Sequence, residues 1–307
     1  MYKRLLSYSL GDWKNVMKVE LPYIKGESKL VYEPAPDGAG DRWFINDHCF
    51  IEDATGVLHC YCINNPYPPQ GKELYSYHPY LGHATSVAPA QAWQRQGFAL
   101  DDSRGSEYLG APFVVWMNDQ RRYVMLFESK IDGHRTLELA YSADLSCWNR
   151  TGIPVLPGLS EAKRDPCILA QDDGSFLVYL CTPNSEGSSI TVTRTTDFVH
   201  FESPKTCLLV RDGVTYGGME SPFVVYRNGL YYLFFTYAHR HYYETVVCYS
   251  EAADRFSIDN IVTTLYGHAA ELLTYQGKTY ISSCGPEDGQ RLNRHGLYLA
   301  ELEWTGV

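Results

Sequence analysis

Hydrophobic positions along the chain come in short runs, each broken by a polar turn and answered by a second, aromatic-rich run. Five segments share this form: "NDHCFIEDATGVLHCYC", "GAPFVVWMNDQRRYVMLFES", "RDPCILAQDDGSFLVYLC", "ESPFVVYRNGLYYLFFTY" and "HAAELLTYQGKTYISSCG". Asp173-Gly174, Asn228-Gly229 and Gln276-Gly277 fall between the runs at hairpin spacing, where a tight turn needs positive φ. About 30 residues after the start of a segment comes another strand-like unit, as in "HATSVAPAQAWQRQG" and "ELAYSADLSCWNRTG". Three of these units close on an aromatic residue, Trp93, Trp148 and Phe201, spaced 55 and 53 residues apart. Each repeat therefore reads as four short antiparallel strands, and five repeats predict an all-β, five-bladed β-propeller forming a single domain over residues 1–307. The fifth repeat runs out of chain, so residues 1–40 are expected to supply the strand that closes the ring, with Tyr2–Leu10 or Lys29–Glu33 as the candidates. A two-sheet sandwich would explain the strands but not the period.

Composition agrees with strands and turns: aromatic residues make up 14% of the chain, with 25 Tyr, 25 Gly and 16 Pro. A formal net charge of -10 repels a phosphate backbone, which argues against nucleic acid as a partner. No stretch approaches the roughly 18 consecutive apolar residues of a membrane span, so no membrane association is expected. The nine cysteines include no Cys-x-x-Cys pair; they read as buried, reduced thiols and suit a cytoplasmic protein. No His, Asp and Glu residues have metal-ligand spacing, so neither a metal site nor a cofactor is expected from the residues.

In a propeller the first strand of each blade lies innermost, so the starts of the five first strands ring one pocket. Those starts read Asn46-Asp47, Ala111-Pro112, Arg164-Asp165-Pro166, Glu220-Ser221-Pro222 and His268-Ala269-Ala270-Glu271. Asp47, Asp165 and Glu220 are separated by 118 and 55 residues, two blades and then one, and are read as occupying the same blade position. Carboxylates gathered by the fold's own repeat are costly in a purely structural centre, because like charges repel and burial disfavours ionisation. A protonated and an ionised carboxyl group together are what glycosidic cleavage needs: a proton for the leaving oxygen, and negative charge beside an oxocarbenium-like centre.

These motifs resemble those of the five-bladed propeller glycoside hydrolases of families 32, 68 and 43. Trp43-Phe44-Ile45-Asn46-Asp47 resembles a Trp-x-Asn-Asp-Pro block, Arg164-Asp165-Pro166 an Arg-Asp-Pro block and Glu220-Ser221-Pro222 a Glu-Cys-Pro block, the closest motifs being those of family 32. The resemblance implies Asp47 as nucleophile, Asp165 as transition-state stabiliser, Glu220 as general acid/base and Arg164 as a holder of sugar hydroxyls. His48-Cys49 and Ser221 depart from the family 32 pattern, and the C-terminal sandwich of that family is missing. The single-domain length fits family 43 equally well, where the same residues imply inversion, with Asp47 as general base and Glu220 as general acid.

Trp43, Asn46, His83, Trp116 and His268 complete the expected substrate-binding set. The two tryptophans serve as sugar platforms, His83 reaches a hydroxyl, and His268 stands where family 43 places a histidine near a central water or structural Ca2+. The loops at residues 64–79, 130–135, 183–188, 238–244 and 286–295 are expected to form the rim. The expected activity is exo-acting cleavage of a terminal sugar, a furanoside, from a small oligosaccharide or glycoside. The alternatives are an inverting arabinofuranosidase or xylosidase and a non-catalytic carbohydrate-binding propeller.

Overall fold

The computed structural model describes residues 19–33, 43–68, 78–102, 108–131, 133–159, 163–284 and 296–306. Its twenty strands form five four-stranded antiparallel sheets arranged as the blades of a propeller. Blade I contains β2 (Trp43–Glu52), β3 (Leu58–Pro66), β4 (Tyr80–Ser86) and β5 (Gln94–Asp101). Blade II contains β6 (Leu109–Met117), β7 (Arg122–Ile131), β8 (His134–Ser142) and the two-residue β9 (Asn149–Arg150). Blade III runs β10 (Arg164–Ala170), β11 (Phe176–Thr182), β12 (Ser188–Thr195) and β13 (Lys205–Val210), and blade IV runs β14 (Glu220–Arg227), β15 (Leu230–Thr236), β16 (Glu244–Ser250) and β17 (Ile261–Tyr266). Blade V places β18 (Leu272–Tyr275), β19 (Lys278–Ser283) and β20 (Leu297–Gly306) beside the N-terminal β1 (Glu20–Tyr32), which pairs antiparallel with β20.

The closing strand is thus longer than expected and starts earlier. Lys29–Tyr32 of the Lys29–Glu33 candidate form its end, and Tyr2–Leu10 lies outside the described residues. Glu20 fixes the closure by accepting hydrogen bonds from Arg227 Nε at 2.7 Å and Nη2 at 3.1 Å, and Tyr232 accepts the Glu20 backbone N–H. On the other side of blade V, the backbone N–H of Trp93 in blade I donates to the Val31 carbonyl.

The tyrosine excess finds much of its use between blades. Tyr61, Tyr179 and Tyr232 are fully buried on second strands. Tyr61 Oη donates to the Leu145 carbonyl of blade II, and Tyr179 Oη to the Ala253 carbonyl of blade IV. A large ring with one polar tip suits such a seam, since its apolar face fills the gap and its hydroxyl satisfies a neighbouring loop.

Four first strands share one irregularity at their inner entrance. Pairing breaks between Asn46 and His48, Gly110 and Phe113, Arg164 and Cys167, and Glu220 and Phe223. Ala111, Asp165 and Ser221 at these bulges, and Ala269 at the matching place in blade V, take positive φ of 34°, 54°, 49° and 50°. An L-residue in that region costs on the order of 1–2 kcal/mol, and bulges beside a site serve to re-aim side chains. The bulge residues and their neighbours line a narrow space at the propeller axis, among them Asp47, Ala111, Asp165, Ser221 and Ala269.

Candidate active site

Above the axial space lies a pocket of about 180 Å³. Asn46 and Asp47 come to it from blade I, Glu128 and Arg135 from blade II, Arg164 and Asp165 from blade III, and Glu220 from blade IV. The three carboxylates expected from the sequence are therefore brought together. Their ladder positions differ, however. Glu220 pairs with Thr236 as Arg164 pairs with Cys181, so Glu220 is equivalent to Arg164, and the position after it, Ser221, is the one equivalent to Asp165 and Asp47. The one-residue offset separates the glutamate from the two aspartates along the pocket wall.

Hydrogen bonds hold the group rigidly. Arg164 Nη1 donates to Asp165 Oδ2 at 2.6 Å, while its Nη2 donates to Glu220 Oε1 at 3.2 Å and to the Met219 carbonyl at 2.8 Å. Ser221 ties the aspartates together: its backbone N–H donates to Asp165 Oδ2 at 3.1 Å, and its hydroxyl donates to Asp47 Oδ1. Burial pushes the Asp47 carboxyl well above the usual carboxylate range, the charge of Asp165 adds to this, and the Ser221 hydroxyl opposes it. Burial also raises Glu220, against the stabilising charge of Arg164.

Glu128 was not singled out from the sequence. It sits near the end of β7, 4% exposed, and accepts the Asp165 backbone N–H at 3.0 Å on Oε1 and the Tyr108 hydroxyl at 3.1 Å on Oε2. Burial, then the charge of Asp165, pushes its pKa up to about 7. Tyr108, Tyr216 and His78 also line the pocket. Arg135 covers the Tyr108 ring at 4.0 Å, and His78 stacks against that ring at 5.6 Å. His78 and Arg135 come from two of the expected rim segments, whereas Tyr108 and Tyr216 belong to the lead-ins to β6 and β14. The rim segment 286–295 lies outside the described residues.

Four of the expected sugar contacts lie elsewhere. His83, in the middle of β4, is 4% exposed and stacked on Tyr61 at 4.7 Å and on His59 at 5.1 Å, with its Nε2 2.9 Å from His59 Nδ1. It is a packing residue within blade I, and burial lowers its pKa to about 4. Trp116 lies next to the β6–β7 turn, paired with Tyr123, at the opposite end of β6 from Gly110, and therefore on the other face of the propeller. Trp43 begins β2 on the pocket side, but its ring is drawn outward onto Tyr80 and Phe98, at 5.8 and 6.0 Å, and does not line the pocket. His268 is fully buried, stacked 3.9 Å from Tyr242, with Nδ1 3.1 Å from the Tyr242 carbonyl oxygen and no hydrogen-bond partner at Nε2 among the described residues. As a holder of Ca2+ it fits poorly, because that ion takes six to eight oxygen ligands. No group of three or more His, Cys, Asp or Glu among the described residues is placed to hold a metal ion.

No protein-family model and no curated protein matches the sequence. Solved structures do match in fold. A family 43 β-xylosidase/α-arabinofuranosidase from a compost microbial metagenome, in complex with xylotriose, superposes with a TM-score of 0.67 at 14% identity, covering 91% of this chain and 94% of its own. A family 117 glycoside hydrolase from Zobellia galactanivorans gives 0.68 at 12% identity, covering 94% and 92%. The fold is one that glycoside hydrolases share. A family 32 β-fructofuranosidase from Bombyx mori gives 0.59 at 18% identity over 94% of this chain but only 63% of its own length.

Proposed function

We propose that the chain is a glycoside hydrolase that removes a terminal sugar from a small oligosaccharide or glycoside, with Asp47, Asp165 and Glu220 as its catalytic set. One observation carries the reading: the propeller's bulged strand entrances deliver three carboxyl groups from blades I, III and IV to one pocket, fixed there by Arg164 and Ser221. On this reading Glu220 protonates the leaving oxygen. Asp165, fixed by Arg164 and the Ser221 N–H, keeps negative charge beside the reacting carbon. Asp47 either attacks the anomeric carbon or activates water.

The proton balance of the empty pocket bears on these roles. Burial pushes both Asp47 and Glu220 upward, which favours keeping a proton in the pocket. The working form has that proton on Glu220, and positive charge developing on the sugar favours an ionised Asp47. A bell-shaped dependence of kcat/KM on pH follows.

The xylotriose held by a family 43 structure of the same fold supports a pentoside substrate such as a xyloside or arabinofuranoside, with a fructofuranoside as the second reading. No cofactor enters the reading. The nine thiols, eight of them buried, are consistent with a reducing compartment such as the cytoplasm. A screen of aryl pentosides, aryl hexosides and fructans tests the activity, and turnover by Glu220→Ala equal to that of the unaltered protein would overturn the assignment. Following the anomer first released by NMR separates retention from inversion.

A further inference from the structure

We propose that Glu128 is a positioning residue for Asp165: its carboxyl group, anchored by the Tyr108 hydroxyl, grips the Asp165 backbone N–H and so fixes the bulge that aims the Asp165 side chain into the pocket. The role rests on the glycosidase reading for its catalytic meaning, although the anchor itself is a property of the folded chain.

Three features converge on it. Asp165 lies where β10 leaves its ladder, between the paired residues Arg164 and Cys167, at a φ of 54°. Its N–H points to Glu128 Oε1. A strained, unladdered peptide keeps its orientation only when surrounding groups over-determine it, and a buried carboxyl oxygen that accepts its N–H is such a group. Second, space for this carboxyl is made by a glycine. Gly110 is the ladder partner of Glu128, and a Cβ built there would lie 3.3 Å from Tyr108 Oη and 3.4 Å from Glu128 Cβ. Third, the anchor is itself braced, because the Tyr108 ring is covered by Arg135 and stacked on His78.

The groups that face Glu128 are Tyr108 at the entrance to β6, Arg164 and Asp165 on β10, Arg135 on β8, Asp47 on β2 and Tyr216 in the lead-in to β14. Below neutral pH Glu128 keeps its proton and acts as a neutral brace. Above it, a second negative charge builds up behind Asp165 and makes Asp47 harder to ionise. Glu128 should therefore shape the alkaline limb of the rate profile without touching the sugar's reacting atoms.

The test compares Glu128→Gln, Glu128→Ala and Tyr108→Phe with the unaltered protein, each checked for an intact thermal transition. Glutamine can still accept the Asp165 N–H but cannot ionise, so kcat near pH 5.5 should stay within about tenfold while the alkaline limb, no longer held up by a second negative charge, moves to lower pH. Alanine should lower kcat on the order of 10²-fold, the usual effect of a misplaced catalytic group, with KM changed far less. Tyr108→Phe, a smaller cut, should act in the same direction. An independent readout is the Asp165 amide proton in the unliganded protein, followed by NMR: it should shift upfield and exchange faster in Glu128→Ala but not in Glu128→Gln. An unmoved amide together with an unmoved pH profile would overturn the proposal. A chain that cleaves no glycoside, yet loses this amide bond in Glu128→Ala, would remove the glycosidase reading and leave the anchor standing.

Discussion

Blades II and IV build the same corner of the pocket in opposite ways. In blade IV the ladder pair at the entrance is Glu220 with Thr236, the acid on the inner strand; in blade II it is Gly110 with Glu128, the acid on the second strand. Moving a carboxyl across one ladder rung changes its character. Glu220 keeps 22% of its side chain exposed and is steadied by a guanidinium, whereas Glu128 is almost wholly enclosed and steadied by an N–H and a phenol. The first suits a group that must exchange a proton with a substrate, and the second a group that holds backbone in place.

The largest effect should come from cutting the blade IV side of this contrast. Glu220→Ala is expected to lower kcat by 10²–10⁴-fold, the usual contribution of a general acid, with the thermal transition retained. If the loss were no greater than for Glu128→Ala, the division of labour would collapse. Arg164→Ala strikes the cation that serves Asp165 and Glu220 together. Removing one partner of a buried ion pair costs roughly 3–5 kcal/mol, so denaturant unfolding should show a loss of that order along with activity.

Acid–base dependence of stability sharpens the blade II side. An unfolded glutamate titrates near 4.5, and burial and the charge of Asp165 push Glu128 up to about 7 in the folded chain, so the native state binds its proton more tightly. Its contribution is fully present below about pH 4.5, declines as pH rises to about 7, and is flat beyond, a span of roughly 3 kcal/mol at 1.36 kcal/mol per unit. Thermal unfolding of Glu128→Gln should lack this decline. Buried neutral histidines act at the other end: His83 at about 4, and His48 and His268 at about 3, resist protonation that the unfolded chain accepts near 6.5. Their stabilisation is lost as pH falls from 6.5 toward those values. Gly110→Ala should cost about 1 kcal/mol by crowding Tyr108 and Glu128, read in the same unfolding experiment. Trp116→Ala, on the far face, should leave kcat/KM within about twofold, and a larger fall would bring that face into the reaction.

The five-fold period was legible because hairpin turns and alternating apolar runs recur at a nearly fixed interval, and from it came the ring, its N-terminal closure and the convergence of Asp47, Asp165 and Glu220. What escaped depended on side-chain direction. Glu128 looks like the polar end of an ordinary strand until Gly110 is seen to face it. Trp116 is near an inner strand in sequence but at its lower end in space, because β6 has already crossed the propeller. His83 carries a functional-looking side chain whose neighbours, His59 and Tyr61, enclose it from the same sheet. The one-residue offset between Glu220 and the aspartates stood in the motifs themselves, where Arg164-Asp165-Pro166 and Glu220-Ser221-Pro222 align on their prolines, and the separations of 118 and 55 residues masked it.

The pairing of Glu20 with Gly306 has a consequence in time as well as in space. Blades I to IV are each made from consecutive stretches of chain and can zip up as those stretches emerge during synthesis. The fifth sheet must wait for its final strand and then recover a partner made nearly a whole chain length earlier, the slow kind of non-local contact. Until that seam shuts, blades I and IV each lack one of their two neighbours, so closure of the ring comes last.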